Sequence, residues 1–509
     1  MSTIATTEIT KQPDLPKPAL SWAETFLSDH KGSYINGAFV ASGKKLIDTT
    51  NPANGELLCQ VAETTNQELD DAVDAARCAF QAKTWRKMPR RERATILKAI
   101  AETIRRHHVE LATLEALDNG KLYTEAFNDD VPEAADVFDY YAGWVDKAYA
   151  ENCPVDDGFL NYTVREPLGV CALVVPWNFP LLLACWKLSV ALATGNTVIV
   201  KPSPYTPLSV SYLFQILDEE VALPPGVINL VHGGQEIGAS LSEHQSINKI
   251  SFTGSTAIGK EVAAGAARSN LKQVSLELGG KSPNIVFDDV PDLEFAITRS
   301  FQAMFSHKGE KCSEPTRLFV HKSLYEHFLA ELEKLAAATV CGAQFDPSAT
   351  QGAQCNAPHF DKIMKYIELG KAEKLRLVAG GHRDQTGSNA KGLFVRPTIF
   401  ADVDNKSRLA QEEIFGPVLT VTPFTSEDEV VAMANDTVYG LAAGLWTSDI
   451  SRANRVASEL DAGMVFVNKY GCYDFASPFG GFKQSGWGKE MSHHSLDAFT
   501  KLKSVWVKY

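Results

Sequence analysis

Apolar and polar positions alternate along this chain in two registers, one helical and one of buried strands. Their order divides it into segments. Met1–Lys17 is polar, with neither the apolar stretch of a signal peptide nor the arginines of a transit peptide, and reads as a loose tail. Ser33–Val40 and Lys45–Thr50 predict short strands, followed by the turn cluster NPANGE at Asn51–Glu56. Gln67–Ala82 has helical spacing. Arg90–Asn119 predicts one longer helix with a stripe of Ile96, Leu97, Ile100, Ile104, Leu111 and Leu114. Pro132–Ala150 predicts another, whose aromatic face of Phe138, Tyr141 and Trp144 is a core face.

From Gly169 the pattern changes. GVCALVV, NTVIVKPS, GVINLVHG, INKISFTG and KQVSLELGG are strands with helices between them, such as the apolar PLLLACWKLSVALATG and TPLSVSYLFQILDEE. Continuously apolar strands alternating with helices predict a parallel sheet covered on both faces. A second α/β series runs from Asn284 to about Phe466, with PNIVFDD, TRLFVHK, VLTVTPF and GMVFVNK as strands and helices at Ser323–Ala338 and Glu427–Asn435. The expectation is an α/β fold of two parallel-sheet lobes, with a break near Gly279–Pro283.

Composition narrows the function classes. The chain has 509 residues, enough for two or three lobes. A net charge of -13 argues against nucleic acid and anionic membrane surfaces. Pro167–Trp186 carries no charge between its flanks, but Pro176, Asn178 and Pro180 interrupt it, so it is not read as a membrane span. The nine cysteines have no metal-ligand spacing; no metal site is expected, and a reducing, cytoplasmic setting with buried, inert thiols fits best. The C-terminal KLKSVWVKY matches no lipidation or sorting signal.

Four local patterns carry possible chemistry. FTGSTAIGK, Phe252–Lys260, is a strand, a turn of small residues and a helix start, suited to phosphate, although a plain strand–turn–helix gives the same pattern. LELGGKSP, Leu276–Pro283, places Glu277 at a strand end, where ligands gather on a parallel sheet; it is a candidate general base or a salt-bridged carboxylate. HKGEKC, His307–Cys312, puts a thiol in a polar loop, a candidate nucleophile. In VVPWNFP, Asn178 follows the first strand and is a candidate oxyanion donor or a turn residue.

Taken together and in order, PWNFP, KPS, FTGSTxxG, LELGGKSP, the Gly-x-x-Cys loop, EEIFGPV (Glu412–Val418) and SPFGGFKQSGWGKE (Ser477–Glu490) resemble the aldehyde dehydrogenase superfamily, from about Tyr34 onward. The resemblance implies two Rossmann-like lobes plus a small β oligomerisation arm. The implied division is a flexible tail at 1–20, a dinucleotide-binding domain at 21–150 and 167–281, a catalytic domain at 282–480, and an arm at 151–166 and 491–509. It further implies oxidation of an aldehyde to a carboxylic acid with NAD(P). Cys312 would form a thioester, Asn178 and the Cys312 N–H would hold the oxyanion, and Glu277 would activate water. Lys187 and Glu490 would support proton movement. Trp177 and Lys201 would line the adenosine, Gly254 and Ser255 the pyrophosphate, Glu413 the nicotinamide ribose, and Phe415 the ring. Val175, Pro176, Ser203, Pro204, Gly234, Leu278 and Gly279 complete the implied cofactor set. An extended hairpin near Cys153–Glu166 that joins the C-terminal strand LKSVWVKY to a neighbouring subunit implies a homodimer or homotetramer.

Three departures from the family pattern bear on these expectations. Pro204 stands where many members have a ribose-binding Glu, so NAD is expected and NADP is open. Glu310 replaces a neutral amide beside the nucleophile and would raise the thiol pKa, while Lys311 would lower it. Lys311 would line the substrate tunnel and favour an anionic aldehyde; Tyr470, Tyr473 and Phe475 would form an aromatic wall, through packing or as a cation box. Rival readings are a CoA-acylating semialdehyde dehydrogenase, disfavoured by Glu277, a non-catalytic relative, disfavoured by intact Cys312, Glu277 and Asn178, and a cysteine hydrolase, for which no histidine is placed.

Overall fold

Two mainly parallel sheets organise the computed structural model, which describes residues 15–29, 31–40 and 45–509. The first has eight strands, in the order Ala38–Val40, Ser33–Ile35, Ile228–Leu230, Thr197–Lys201, Val170–Val174, Lys249–Thr253, Gln273–Glu277 and Gly486–Trp487. The inner five run parallel, and the edges are antiparallel. The chain enters at Val170–Val174, steps twice to one side, then crosses to Lys249–Thr253 on the other. That reversal makes a crevice at the carboxyl ends of these two strands. Register brings Val174 opposite both Lys201 and Phe252, and Thr253 opposite Glu277, so the chemically suggestive strand ends share one rim.

The second sheet has seven strands, in the order Arg376–Ala379, Thr398–Ala401, Val418–Phe424, Arg317–His321, Pro283–Val286, Ala442–Trp446 and Met464–Val467. Only the Arg376–Ala379 edge is antiparallel. Leu278–Ser282 links the two sheets.

The uncharged segment of the sequence is the strand Val170–Val174, a turn and the first half of a central helix. All of Pro180–Ala193 is buried, Lys187 included. Leu181, Leu188 and Leu192, at 0–1% exposure, each contribute roughly 2 kcal/mol of burial. No helix among the described residues is long and apolar enough to cross a membrane.

Several expectations need correction. The polar tail lies outside the described residues up to Asp14, but Leu20–Leu27 is already helical. Ser33–Val40 is a hairpin turned at Asn36-Gly37, both at positive φ. The long helix is two, Arg90–Arg106 and His108–Asn119. His107 leaves helical geometry, and its ring is held by Glu220 at 2.6 Å and the Tyr212 hydroxyl at 2.8 Å. The next helix is only Val131–Ala142, preceded by a π-helical turn at Ala126–Asp130 and followed by Gly143. Cys78 and Cys472 are exposed rather than buried. Phe159–Pro167 pairs along its length with Thr500–Lys508 of the same chain, and Asn152–Cys153 extends this arm.

Candidate active site

The crevice opens into a cleft of about 200 Å³ where both sheets contribute: Pro176, Trp177, Asn178, Gly254, Ser255, Glu277, Leu278, Gly279, Cys312, Glu413 and Phe415 line it. Each arrives from a strand end or a tight turn. Ser255 caps the helix Thr256–Arg268, its hydroxyl accepting from the Ile258 N–H at 3.4 Å, so helix N–H groups face the cleft. The Glu413 carboxylate accepts from the Gly280 N–H at 3.0 Å. A Cβ on Gly279 would come within 2.3 Å of that carboxylate, so only glycine lets it seat there.

The thiol is set by an unusual turn. His307, Lys308 and Gly309 all have positive φ, at 52°, 62° and 76°. Gly309 packs on the backbone of Gly416 and Pro417; a Cβ there would lie 2.3 Å from the Gly416 carbonyl carbon. Cys312 follows at the cleft floor, partly exposed, with its own backbone N–H close to the sulfur. The Asn178 side-chain amide donates to the Glu310 carbonyl at 2.9 Å, joining its loop to the thiol's. Burial pushes the thiol pKa up, and the carboxylates Glu277 and Glu413 add to the shift.

Glu277 ends its strand buried, with no hydrogen-bond partner on either carboxylate oxygen. Burial holds its carboxyl well above the usual range, and the negative charge of Glu490 adds. Glu490 pairs with Lys187, which also donates to Ser251 Oγ at 3.2 Å. Neither lines the cleft; both lie behind Glu277. The Ser477–Glu490 segment is stitched onto Glu277's strand, with the Leu278 N–H donating to the Ser485 carbonyl at 2.9 Å and Ser485 Oγ to the Gly279 carbonyl at 2.6 Å.

The remaining cofactor candidates sit apart from the thiol. Val175 is buried, and Lys201, Ser203, Pro204 and Gly234 are not among the residues lining the cleft. Burial depresses the Lys201 ammonium to a pKa of about 8. Beside it, Glu63 accepts from the Gly234 N–H at 3.3 Å and pairs with Lys45 at 2.6 Å. Sequence reasoning missed Glu63, and also Thr253, His359 and Lys362, which line the cleft. Thr253 lay inside a recognised motif, whereas nothing local singles out the other three. The His359 ring bonds the Phe415 carbonyl at 2.6 Å and lies 4.8 Å from the Trp177 ring.

The Glu310 carboxylate forms a fully buried ion pair with Lys308 at 2.9 Å, and the charges that act most on the sulfur are those of Glu277, Glu413 and Glu314. Lys311 bonds Ser306 Oγ at 2.6 Å, and its charge acts on the carboxyls of Asp129, Glu133 and Glu314, all of which burial holds above their usual range. The Tyr470 and Tyr473 hydroxyls are both fixed on Ser313, the residue after the thiol, at 2.7 Å. Tyr473, Phe466, Phe479, Met464 and Met491 border a separate cavity of about 340 Å³.

The chain is similar over nearly its whole length to proteins with this architecture. Human retinal dehydrogenase 2 is 44% identical over 460 residues, 90% of this chain and 88% of that protein. Human mitochondrial aldehyde dehydrogenase is 43% identical over 471 residues, 92% and 90% of the two chains. The solved NAD+ complex of an aldehyde dehydrogenase from Bacillus cereus superposes with a TM-score of 0.93 at 43% identity, covering 96% of this chain and 98% of that one. The sequence profile of the aldehyde dehydrogenase family matches residues 39–505. With the thiol, the amide and the carboxylate of its motifs gathered at one cleft between two parallel sheets, this chain belongs to the aldehyde dehydrogenase family.

Proposed function

We propose that the protein oxidises an aldehyde to its carboxylic acid with NAD+, through a thioester on Cys312. The observation that carries this is the meeting of Cys312, Asn178 and an unpartnered Glu277 in one cleft that also holds Glu413. The Cys312 thiolate, its proton given up to solvent, bonds to the aldehyde carbon, and the carbonyl electron pair moves to oxygen. The Asn178 amide and the Cys312 N–H hold that oxyanion. When held by the cleft residues, NAD+ would supply the acceptor for the hydride that leaves the carbon as C=O re-forms. Glu277 then takes a proton from water, whose oxygen bonds to the acyl carbon, and the C–S bond breaks to release acid and thiolate. Lys187 and Glu490 pass the proton away from Glu277.

The residues fit the cofactor. The N-terminus of the helix Thr256–Arg268 behind Gly254 and Ser255, an unpartnered Thr253 hydroxyl and the Gly279 seat for Glu413 suit a pyrophosphate and a ribose. Lys201, Ser203, Pro204 and Gly234 would hold the adenosine end, with Val175, Pro176, Trp177, Leu278 and Phe415 as walls. The eight-stranded sheet is thus the dinucleotide-binding part and the seven-stranded sheet the catalytic part. NAD+ stands ahead of NADP+ because Glu63 places a carboxylate beside Lys201 where Pro204 has none. Glu63→Gln is expected to raise the NADP+ to NAD+ ratio of kcat/KM; an unchanged ratio counts against this assignment.

The substrate we propose is an uncharged aldehyde with an apolar or aromatic body, since Lys311 is tied to Ser306 Oγ, outside the residues lining the cleft, and aromatic rings stand beside Ser313. The chemistry needs a reduced thiol, which suits the cytoplasm, and the arm suits a homodimer or homotetramer. The test is absorbance at 340 nm with neutral, cationic and anionic aldehydes, NAD+ or NADP+, with and without CoA, against Cys312→Ala. Turnover lost in that variant supports the reading, and strict dependence on CoA replaces hydrolysis by acyl transfer.

A further inference from the structure

Beneath the nucleophile the side chains close a ring of hydrogen bonds completed by one ion pair. Lys308 Nζ donates to the Asn119 carbonyl at 2.8 Å and to Asn119 Oδ1 at 2.9 Å. Asn119 Nδ2 donates to the carbonyls of Trp177 at 2.7 Å and Asn178 at 3.3 Å. Asn178 Nδ2 donates to the Glu310 carbonyl at 2.9 Å, and the Glu310 carboxylate returns to Lys308 at 2.9 Å. The other Glu310 oxygen accepts from the Cys355 N–H at 3.1 Å, which fixes the carboxylate. Lys308, Glu310, Asn119 and Asn178 are all at or below 4% exposure.

Each link has one possible polarity. An ammonium only donates, so Asn119 must turn its oxygen to Lys308 and its NH2 to the Trp177–Asn178 backbone. That backbone carries the Asn178 side chain. One Asn178 N–H is committed to the loop that ends in Cys312, and the other is left for the cleft the residue lines. A neutral amide in place of Lys308 or Glu310 could flip its oxygen and nitrogen; the ion pair cannot.

We propose that the buried Lys308–Glu310 ion pair is a positioning device that aims the Asn178 amide at the oxyanion. This rests on the reading of Asn178 as oxyanion donor. In this role the pair acts through Asn119 and Asn178 rather than through the charge on the thiol.

The experiment combines Glu310→Gln, Lys308→Gln and the double variant with native Asn178 and with Asn178→Ala, in the full-length protein with NAD+ and the best aldehyde of the panel. The readouts are the pre-steady-state burst rate of NADH, the KM for NAD+, and the pH profile of Cys312 alkylation by iodoacetamide. Glu310→Gln is expected to slow the burst by roughly 10- to 100-fold, less than the 100- to 1000-fold typical of removing an oxyanion donor outright. The KM for NAD+ and the alkylation profile stay as they were. With Asn178→Ala already present, Glu310→Gln costs nothing more. The double variant recovers part of the rate, and it carries the cycle if a single variant does not fold. An unchanged burst, losses that add fully to those of Asn178→Ala, or a shifted alkylation profile each overturn the proposal. If Asn178→Ala alone leaves the burst unchanged, the oxyanion reading itself falls and takes this inference with it.

Discussion

Glu277 is 3% exposed, and both of its carboxylate oxygens lack a partner. A carboxyl in that position keeps its proton above the ordinary carboxylate pKa, because burial disfavours the charge and Glu490 repels it. The base form therefore fills in with rising pH, and the activity limb that reports it lies above the usual carboxylate range. Glu277→Gln is expected to abolish that limb and to lower kcat by roughly 10²- to 10⁴-fold. The burst of NADH persists, since the thioester still forms; stopped-flow absorbance checks both. The same shift bears on stability. In the window between the unfolded and the higher folded pKa, the folded chain binds more protons, so its stability falls as pH rises. Glu277→Gln removes that loss. The variant is expected to melt above the native protein at pH 8 and level with it near pH 4, as measured by differential scanning fluorimetry.

The helix Pro180–Ala193 has no exposed side, and its one charge is neutralised only by Glu490. Lys187→Met strands a buried carboxylate and is expected to cost about 3–5 kcal/mol. Lys187→Met/Glu490→Leu is expected to recover most of it, read from urea unfolding. This helix and the parallel strands beside it were legible in the sequence because doubly buried elements leave unbroken apolar runs. Arg376–Ala379, Thr398–Ala401 and Ala442–Trp446 were not. They are short, and Ala442–Trp446 reads AAGLW, small residues with no strand signature. The break at His107 was hidden because its cause is tertiary, in Glu220 and Tyr212. The site divides the same way. Motifs exposed Cys312, Glu277 and Asn178, while Lys308 finds its partner Asn119 189 positions away, a separation that no local pattern encodes.

At the scale of the molecule, the C-terminal segment does three jobs in succession. Gly486–Trp487 closes the edge of the first sheet against Leu276 and Glu277, Glu490 stands behind Glu277, and Thr500–Lys508 builds the arm. The arm leaves Phe159, Leu160, Tyr162, Leu502, Trp506 and Val507 exposed, an apolar surface that a monomer has no use for. The protein is expected to run as a multiple of its 55.6 kDa chain, and Leu502→Asp/Trp506→Asp to shift it toward one chain, by light scattering after gel filtration. The arm ends at Tyr509, 81% exposed, whose N–H donates to the Gly158 carbonyl at 3.1 Å. An affinity tag fused to that residue would extend a growing sheet edge, so purified material should carry its handle at the other terminus if subunit stoichiometry is to be measured at all.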